Sequence, residues 1–159
     1  LQDIYLDIRF YKPTVADIPK MQEIVKEEVQ SGKILLRTED EMATTIRSYT
    51  VVKVNDKIAG FTATHIHSPR LAEVRSLVVA KEFRGLKLGK QLVEACIKEA
   101  KEYGIKQLLS LTYEQGFFES CGFRVISKEE IPEHKIWADC IRCKHFPICD
   151  EIAMVYDLL

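Results

Sequence analysis

Glu73 and Arg75 stand two residues apart in a β-rich stretch, Ala72-Glu73-Val74-Arg75-Ser76-Leu77-Val78-Val79. Strand side chains alternate between faces, so Glu73, Arg75, Leu77 and Val79 are expected on one face, the first two roughly 6.6–7 Å apart. A carboxylate in that position can take a proton from an ammonium group, directly or through water. A neighbouring guanidinium can grip an acid through two parallel hydrogen bonds. Together they suit a molecule with an amine and an acid, which describes an amino acid. Taken alone, the pair favours an ion pair on a sheet surface, worth little by itself.

The second chemistry-bearing stretch follows at once. Leu77-Val78-Val79 runs into Arg84-Gly85-Leu86-Lys87-Leu88-Gly89-Lys90, a glycine-punctuated loop opening into a long helix. The first N–H groups of such a helix converge on one point, and the helix dipole adds partial positive charge there. Gly85 and Gly89 let a ligand approach the backbone closely. Arg84, Lys87 and Lys90 add formal charge, so phosphate or pyrophosphate is the expected ligand. The G-x-x-x-x-G-K-[ST] pattern of a P-loop does not match. An ordinary basic turn before a core helix is the alternative; the flanking strand and helix favour the phosphate.

Positioning these groups requires a layered α/β domain. Ile8 to Tyr11 reads as a strand, and Asp17 as an N-cap with Pro19 in the first helical turn. Ile18, Met21, Ile24, Val25 and Val29 form a helical stripe closed by Ser31-Gly32. Thr38 and Glu41 make a capping box for a second helix carrying Met42, Ile46 and Tyr49. Tyr49–Val54 and Ile58–Ile66 are strands joined through Asn55-Asp56-Lys57, and Glu73–Ala80 is a third. Leu88, Leu92, Val93, Cys96, Ile97 and Ala100 form the strongest helical stripe, stopped by Gly104. Strand 106–112, helix 115–121, strand 123–127 and strand 152–156 complete the order β-α-α-β-β-β-α-β-α-β, then an irregular tail (128–150), then β. Early hairpins and a later βαβ crossover predict a mixed, mostly antiparallel sheet with helices on both faces. Regular βα alternation, which a doubly wound dinucleotide fold needs, is missing.

With those elements laid out, Leu77-Val78-Val79 before Arg84-Gly85-x-Lys87-x-Gly89-Lys90 resembles the acetyl-coenzyme A motif of the GCN5-related N-acetyltransferases (GNAT). Phe117-Phe118-Glu119-Ser120-Cys121-Gly122-Phe123 resembles their late aromatic–glycine segment. The resemblance implies that fold, acetyl-CoA as cosubstrate, pyrophosphate held by the amides of Arg84 to Lys90, and pantetheine along Leu77 to Val79. It also implies an oxyanion stabilised by backbone N–H groups near Val79, and direct attack of the amine on the thioester without a covalent enzyme intermediate. The chain departs from the pattern twice. Lys87 replaces a motif glycine, which a negative φ would accommodate. Phe118 stands where many members carry the tyrosine that reprotonates the thiolate, leaving Tyr113 as a candidate substitute or a packed strand-end aromatic.

A narrower resemblance covers Ile34 to Met42, Tyr49 to Val52, Ala72 to Val79 and Ile131-Pro132-Glu133-His134-Lys135. These are similar to the acetyltransferase domain of bacterial N-acetylglutamate synthases in its stand-alone form. It implies Glu73 as general base, Arg37 on a substrate carboxylate and Lys135 as a second substrate cation; Arg75 fits the same pocket. L-glutamate is then the expected acceptor and arginine biosynthesis the expected setting. Another small amine or a protein N-terminus is the alternative acceptor. A polyamine calls for an acid-lined pocket, which these cations oppose. A degenerate acyl-CoA sensor is the reading that Lys87 and Phe118 keep open.

Composition agrees with an enzyme of this kind. The 159 residues predict one domain, 1–159, without a regulatory partner domain. Lys plus Arg is 23 against 24 Asp plus Glu, a net charge of -1 that excludes a general nucleic-acid platform. No apolar run approaches the ~18 residues of a membrane helix, and no leader is visible. The five cysteines are odd in number and unevenly spaced, unlike a secreted disulfide scaffold, so a reducing cytoplasm is expected. Cys96 and Cys121 read as small core residues. Cys140, Cys143, Cys149 and His145 have zinc-ligand logic but lack a second C-x-x-C knuckle, and a reduced loop is the expectation, with no metal assigned. His65 and His67 share a strand face near the substrate mouth, with no acid partner spaced with them. A homodimer is compatible with this reading.

Overall fold

The structure, a computed structural model, describes residues 6–31, 37–131 and 151–158. Its elements are β1 (Ile8–Tyr11), α1 (Ile18–Ser31), α2 (Glu39–Thr44), β2 (Tyr49–Val54), β3 (Lys57–Ile66), β4 (Leu71–Val79), α3 (Leu88–Glu102), β5 (Gln107–Thr112), α4 (Gln115–Ser120), β6 (Arg124–Ile126) and β7 (Ile152–Asp157). The order matches the expectation. One seven-stranded sheet runs β1-β2-β3-β4-β5-β7-β6. Pairs β1–β2, β2–β3, β5–β7 and β6–β7 are antiparallel, and β4–β5 is parallel across the α3 crossover.

Local signals explain most boundaries. Asn55 and Asp56 take φ of 50° and 67°, the left-handed pair of a two-residue hairpin turn, and Val54 registers with Lys57. Thr38 accepts from the Glu41 N–H at 3.1 Å, and Glu41 Oε1 accepts from the Thr38 N–H at 3.1 Å, the predicted capping box. Two start signals shift. Asp17 is not an N-cap: its carboxylate accepts from the Thr14 N–H at 2.9 Å, closing a 3₁₀ turn that feeds α1. The second helix is also shorter than its stripe, because Ile46 falls in a 3₁₀ turn and Tyr49 opens β2.

The described residues group into two compact units, one within 1–63 and 76–93, the other within 64–75 and 94–159. In the first, β2 carries a core on each face. Val51 packs with Ile18, Met21, Met42, Phe61 and Val78, while Val52 packs with Val54, Ala59, Leu88 and Leu92. Helices α1 and α2 therefore cover one face and the start of α3 the other. In the second unit Leu71, Leu109 and Val155 form one core cluster. There Asp157 receives hydrogen bonds from Arg124 and Gln107, which hold its carboxyl below the usual range. Cys96 is buried as expected, and Cys121 is half-buried.

The hairpin of β3 and β4 is out of step with itself. The His67 N–H donates to the Leu71 carbonyl at 2.9 Å, and the Ala80 N–H donates to the Ala59 carbonyl at 2.7 Å. Between those two links β4 contains one residue more than β3. Ser76 lies in that interval with φ 54°. A left-handed residue plus one surplus position is a β-bulge. The bulge corrects the expected single face for Glu73, Arg75, Leu77 and Val79. Alternation shifts by one at Ser76, so odd-numbered residues before and after it point to opposite faces. Downstream, Leu77 and Val79 pack beside Leu88, and Val78 packs with Phe61 and Ala63.

Gly60 sits opposite Val79. A Cβ there would come within 2.6 Å of the Val78 carbonyl oxygen and 3.3 Å of Val79 Cα. Two substitutions probe this backbone by urea denaturation. Ser76→Val forces a β-branched residue into the left-handed region and is expected to cost about 1–3 kcal/mol, whereas Ser76→Gly stays within about 1 kcal/mol of the parent. Gly60→Ala overpacks the β3–β4 contact and is expected to cost about 1–3 kcal/mol.

Candidate active site

In the first unit, the end of β4 and the loop behind it form a backbone-rich surface. Because Ala80 is hydrogen-bonded to β3 through Ala59, ladder alternation turns the N–H and C=O of Val79, and of Leu77, away from β3. A turn at 81–83 follows, its Phe83 N–H donating to the Ala80 carbonyl at 2.9 Å. Gly85 then takes φ 95°, with nothing within 4 Å of where a Cβ would sit. Leu86 is half-buried. The helix is anchored below by Leu88, which is 1% exposed. Gln91 makes the first turn's bond, its N–H donating to the Lys87 carbonyl at 3.3 Å. The N–H groups of Leu88, Gly89 and Lys90 precede that bond and have no partner within the helix. Arg84, Lys87 and Lys90 are exposed around them. This donor set, amides at a helix N-terminus ringed by cations, fits a pyrophosphate.

Lys87 differs from expectation. Its φ is 60°, not negative. The chain keeps the left-handed turn that glycine adopts without cost, with a residue for which that conformation costs roughly 1–2 kcal/mol. The reason is geometric: the peptide ahead of α3 must reverse for Leu88 to reach the core.

In the second unit, Glu73 is 5% exposed, the one buried charged residue among the described residues. Its Oε1 lies 2.8 Å from His67 Nε2 and 3.3 Å from Arg75 Nε. Arg75 can only donate, so Glu73 Oε1 accepts from it, and the His67 contact is assigned as Nε2–H donating to the same oxygen. The side chains are 6%, 2% and 13% exposed for Glu73, His67 and Arg75. The surface ion pair expected as the alternative is thus a buried, three-residue cluster. Burying a lone carboxylate costs several kcal/mol, and these donors offset that. His65 stacks edge-on against His67, with centroids 4.7 Å apart.

The structure brings together Glu73 and Arg75, and separately the residues from Leu77 to Val79 and Arg84 to Lys90. Arg37 is half-buried immediately before the Thr38 N-cap, in the first unit. Lys135, Cys140, Cys143, His145 and Cys149 lie outside the described residues. Among the described residues no group of three or more His, Cys, Asp or Glu side chains is arranged to hold a metal. Tyr113 follows β5 and is 39% exposed, so it is not a fully packed aromatic. Phe118 is 4% exposed in an aromatic stack, 5.1 Å from Phe117 and from Phe123. Sequence reasoning missed the acid partner of His67. The signal was present: Ser68-Pro69-Arg70 is a tight turn, and folding the strand back there places Glu73 diagonally from His67.

Comparison with known proteins agrees with these features. The family model described as the acetyltransferase (GNAT) family matches residues 14–123. An uncharacterized N-acetyltransferase of Chlorobaculum tepidum is 35% identical over 144 residues, covering 91% of this chain and 92% of that protein. An amino-acid acetyltransferase of Mannheimia succiniciproducens is 30% identical over 131 residues, covering 81% of this chain. The match spans only 29% of that relative's length. Among solved structures, N-acetylglutamate synthase of Neisseria gonorrhoeae, complexed with coenzyme A and N-acetyl-glutamate, superposes with a TM-score of 0.83 at 20% identity. It covers 99% of this chain and 36% of that one, and at that identity the likeness shows the fold. The Mycobacterium tuberculosis protein Rv2747, in complex with CoA, gives 0.82 at 18% identity, over 95% of this chain and 99% of that one. On the family match, the N-acetyltransferase relative and the shared fold, the chain belongs to the acetyltransferase (GNAT) family.

Proposed function

We propose that the chain transfers the acetyl group of acetyl-CoA to the α-amine of a free amino acid, L-glutamate foremost. The observation that carries this reading is the buried Glu73 carboxylate, on the strand that runs directly into the phosphate-type loop, with His67 and Arg75 in contact with its Oε1. Support for the acceptor comes from the amino-acid acetyltransferase relatives and from the cations Arg37, Arg75 and Lys135.

Acetyl-CoA, when bound, supplies an acetyl group already activated as a thioester. Amides of Leu88 to Lys90, with Arg84 and Lys87, hold the pyrophosphate. The outward N–H and C=O groups of Leu77 and Val79 hold an extended pantetheine arm as a paired strand would, and an N–H there stabilises charge developing on the thioester oxygen. Glu73 takes the ammonium proton, directly or through water, so the nitrogen lone pair becomes available. Arg37 and Lys135 hold substrate carboxylates. Arg75 touches Glu73 already, so its part is to favour the ionised carboxylate.

Purified protein should be offered acetyl-CoA and a panel of amino acids, polyamines and an N-terminal peptide, with free thiol release as the readout. Glutamate is expected to give the highest kcat/KM; strong turnover of a peptide or polyamine without glutamate activity overturns the acceptor. Coenzyme binding without turnover of any amine supports the sensor instead. With the best acceptor, Glu73→Gln is expected to lower kcat by roughly 10²–10⁴-fold at neutral pH with the KM for acetyl-CoA unchanged. Full activity in that variant removes Glu73 as base.

A further inference from the structure

We propose that His67 is the positioning residue of Glu73, its Nε2–H fixing carboxylate oxygen Oε1 in the orientation needed for proton removal. The inference rests on the reading of Glu73 as general base.

A carboxylate on a single side chain can turn about its last bond, and a base that turns spends time misdirected. Arg75 hangs two residues along the same strand and moves with Glu73, and its Nε contact with Oε1, at 3.3 Å, is longer than the 2.8 Å contact of His67. His67 reaches Glu73 from the other arm of the hairpin. It is itself held at several points. Its backbone N–H donates to the Leu71 carbonyl at 2.9 Å, and the Ser68 hydroxyl accepts from the Arg70 and Leu71 N–H groups at 3.2 Å each, closing the turn beside it. Its ring leans on His65 at 4.7 Å and is 2% exposed. A rigid donor anchored on a tight turn is what a preorganised carboxylate requires. Leu at this position would fill the space but provide no donor. Gln can place its side-chain N–H₂ near the site of Nε2.

The test is a double-mutant cycle, read with acetyl-CoA and the best acceptor of the panel. His67→Leu is expected to lower kcat about 10–100-fold while the KM for acetyl-CoA stays within about twofold. His67→Gln is expected to recover kcat to within about fivefold of the parent. Adding His67→Leu to Glu73→Gln is expected to cost nothing further, because the side chain to be oriented has lost its basicity. Full independence of the two substitutions, or failure of Gln to rescue, overturns the proposal. Loss of activity in Glu73→Gln with an intact His67→Leu also overturns it, leaving Glu73 as base. An active Glu73→Gln overturns the base reading and this inference with it. A readout without turnover is nitrogen NMR of histidine-labelled protein. One ring is expected to carry its proton on Nε2, with a signal that shifts in Glu73→Gln and disappears in His67→Gln. A ring protonated on Nδ1 alone at that position overturns the assignment even where His67→Leu does not fold.

Discussion

The surplus residue of β4 governs what this chain can do. A regular strand would keep the side chains of Glu73, Leu77 and Val79 on one face. Ser76, in the left-handed region, breaks that continuity. Upstream of it, β4 is a hydrogen-bonded partner of β5 over three register pairs, Leu71–Glu73 with Gln107–Leu109. Downstream, the strand is bound to β3 through Ala80 and Ala59, with Leu77 and Val79 turned outward. One strand thus carries two environments: a segment paired with β5 that holds Glu73, and a segment whose Leu77 and Val79 backbone groups turn outward. Gly60 makes the second possible, since the contact opposite Val79 leaves no room for a Cβ.

Glu73 shows how a buried carboxylate is kept available for the part of base proposed for it. A carboxylate that is 5% exposed would take up a proton and turn neutral if it stood alone. His67 and Arg75 both meet Oε1, and donors at that oxygen favour the ionised form. Strong pairing also has a chemical cost, because a charge that is well satisfied holds protons less tightly. The cluster balances those demands with one obligate cation, Arg75, and one imidazole that can donate while neutral. The nearly balanced composition of the whole chain conceals this arrangement. Cations gather at the loop from Arg84 to Lys90, while the acid sits in the core of the other unit.

Much of the fold was legible because short-range chemistry set it. The Thr38–Glu41 capping box, the Asn55-Asp56 turn and the α3 stripe each depend on residues within a few positions of one another, and each forms as expected. Glu73, Arg75 and the loop glycines were also visible, since their types are unusual in a strand and before a helix. The Glu73–His67 contact was not, because it depends on pairing across a hairpin. Period-two reasoning treats each strand alone and overlooks a partner on the neighbouring one. Lys135, the substrate cation of the proposal, and the cysteine cluster fall outside the described residues, so their part rests on the sequence alone.

The bulge and the loop turn evaded sequence reading for a shared physical reason. Left-handed backbone is expected where side-chain chemistry marks it, in Gly, Asn or Asp, and Gly85, Asn55 and Asp56 follow that rule. Ser76 and Lys87 do not, yet both take φ near 60°. Neither residue gains locally from the conformation. Each is held by what lies beyond it: Ser76 by β3 pairing at both Leu71 and Ala80, and Lys87 by Leu88 in the core directly after it. Local strain of this kind persists only where the surrounding structure over-determines the backbone. Both positions flank the proposed coenzyme-binding backbone, Leu77–Val79 and Leu88–Lys90, and neither owes its conformation to a preference of serine or lysine.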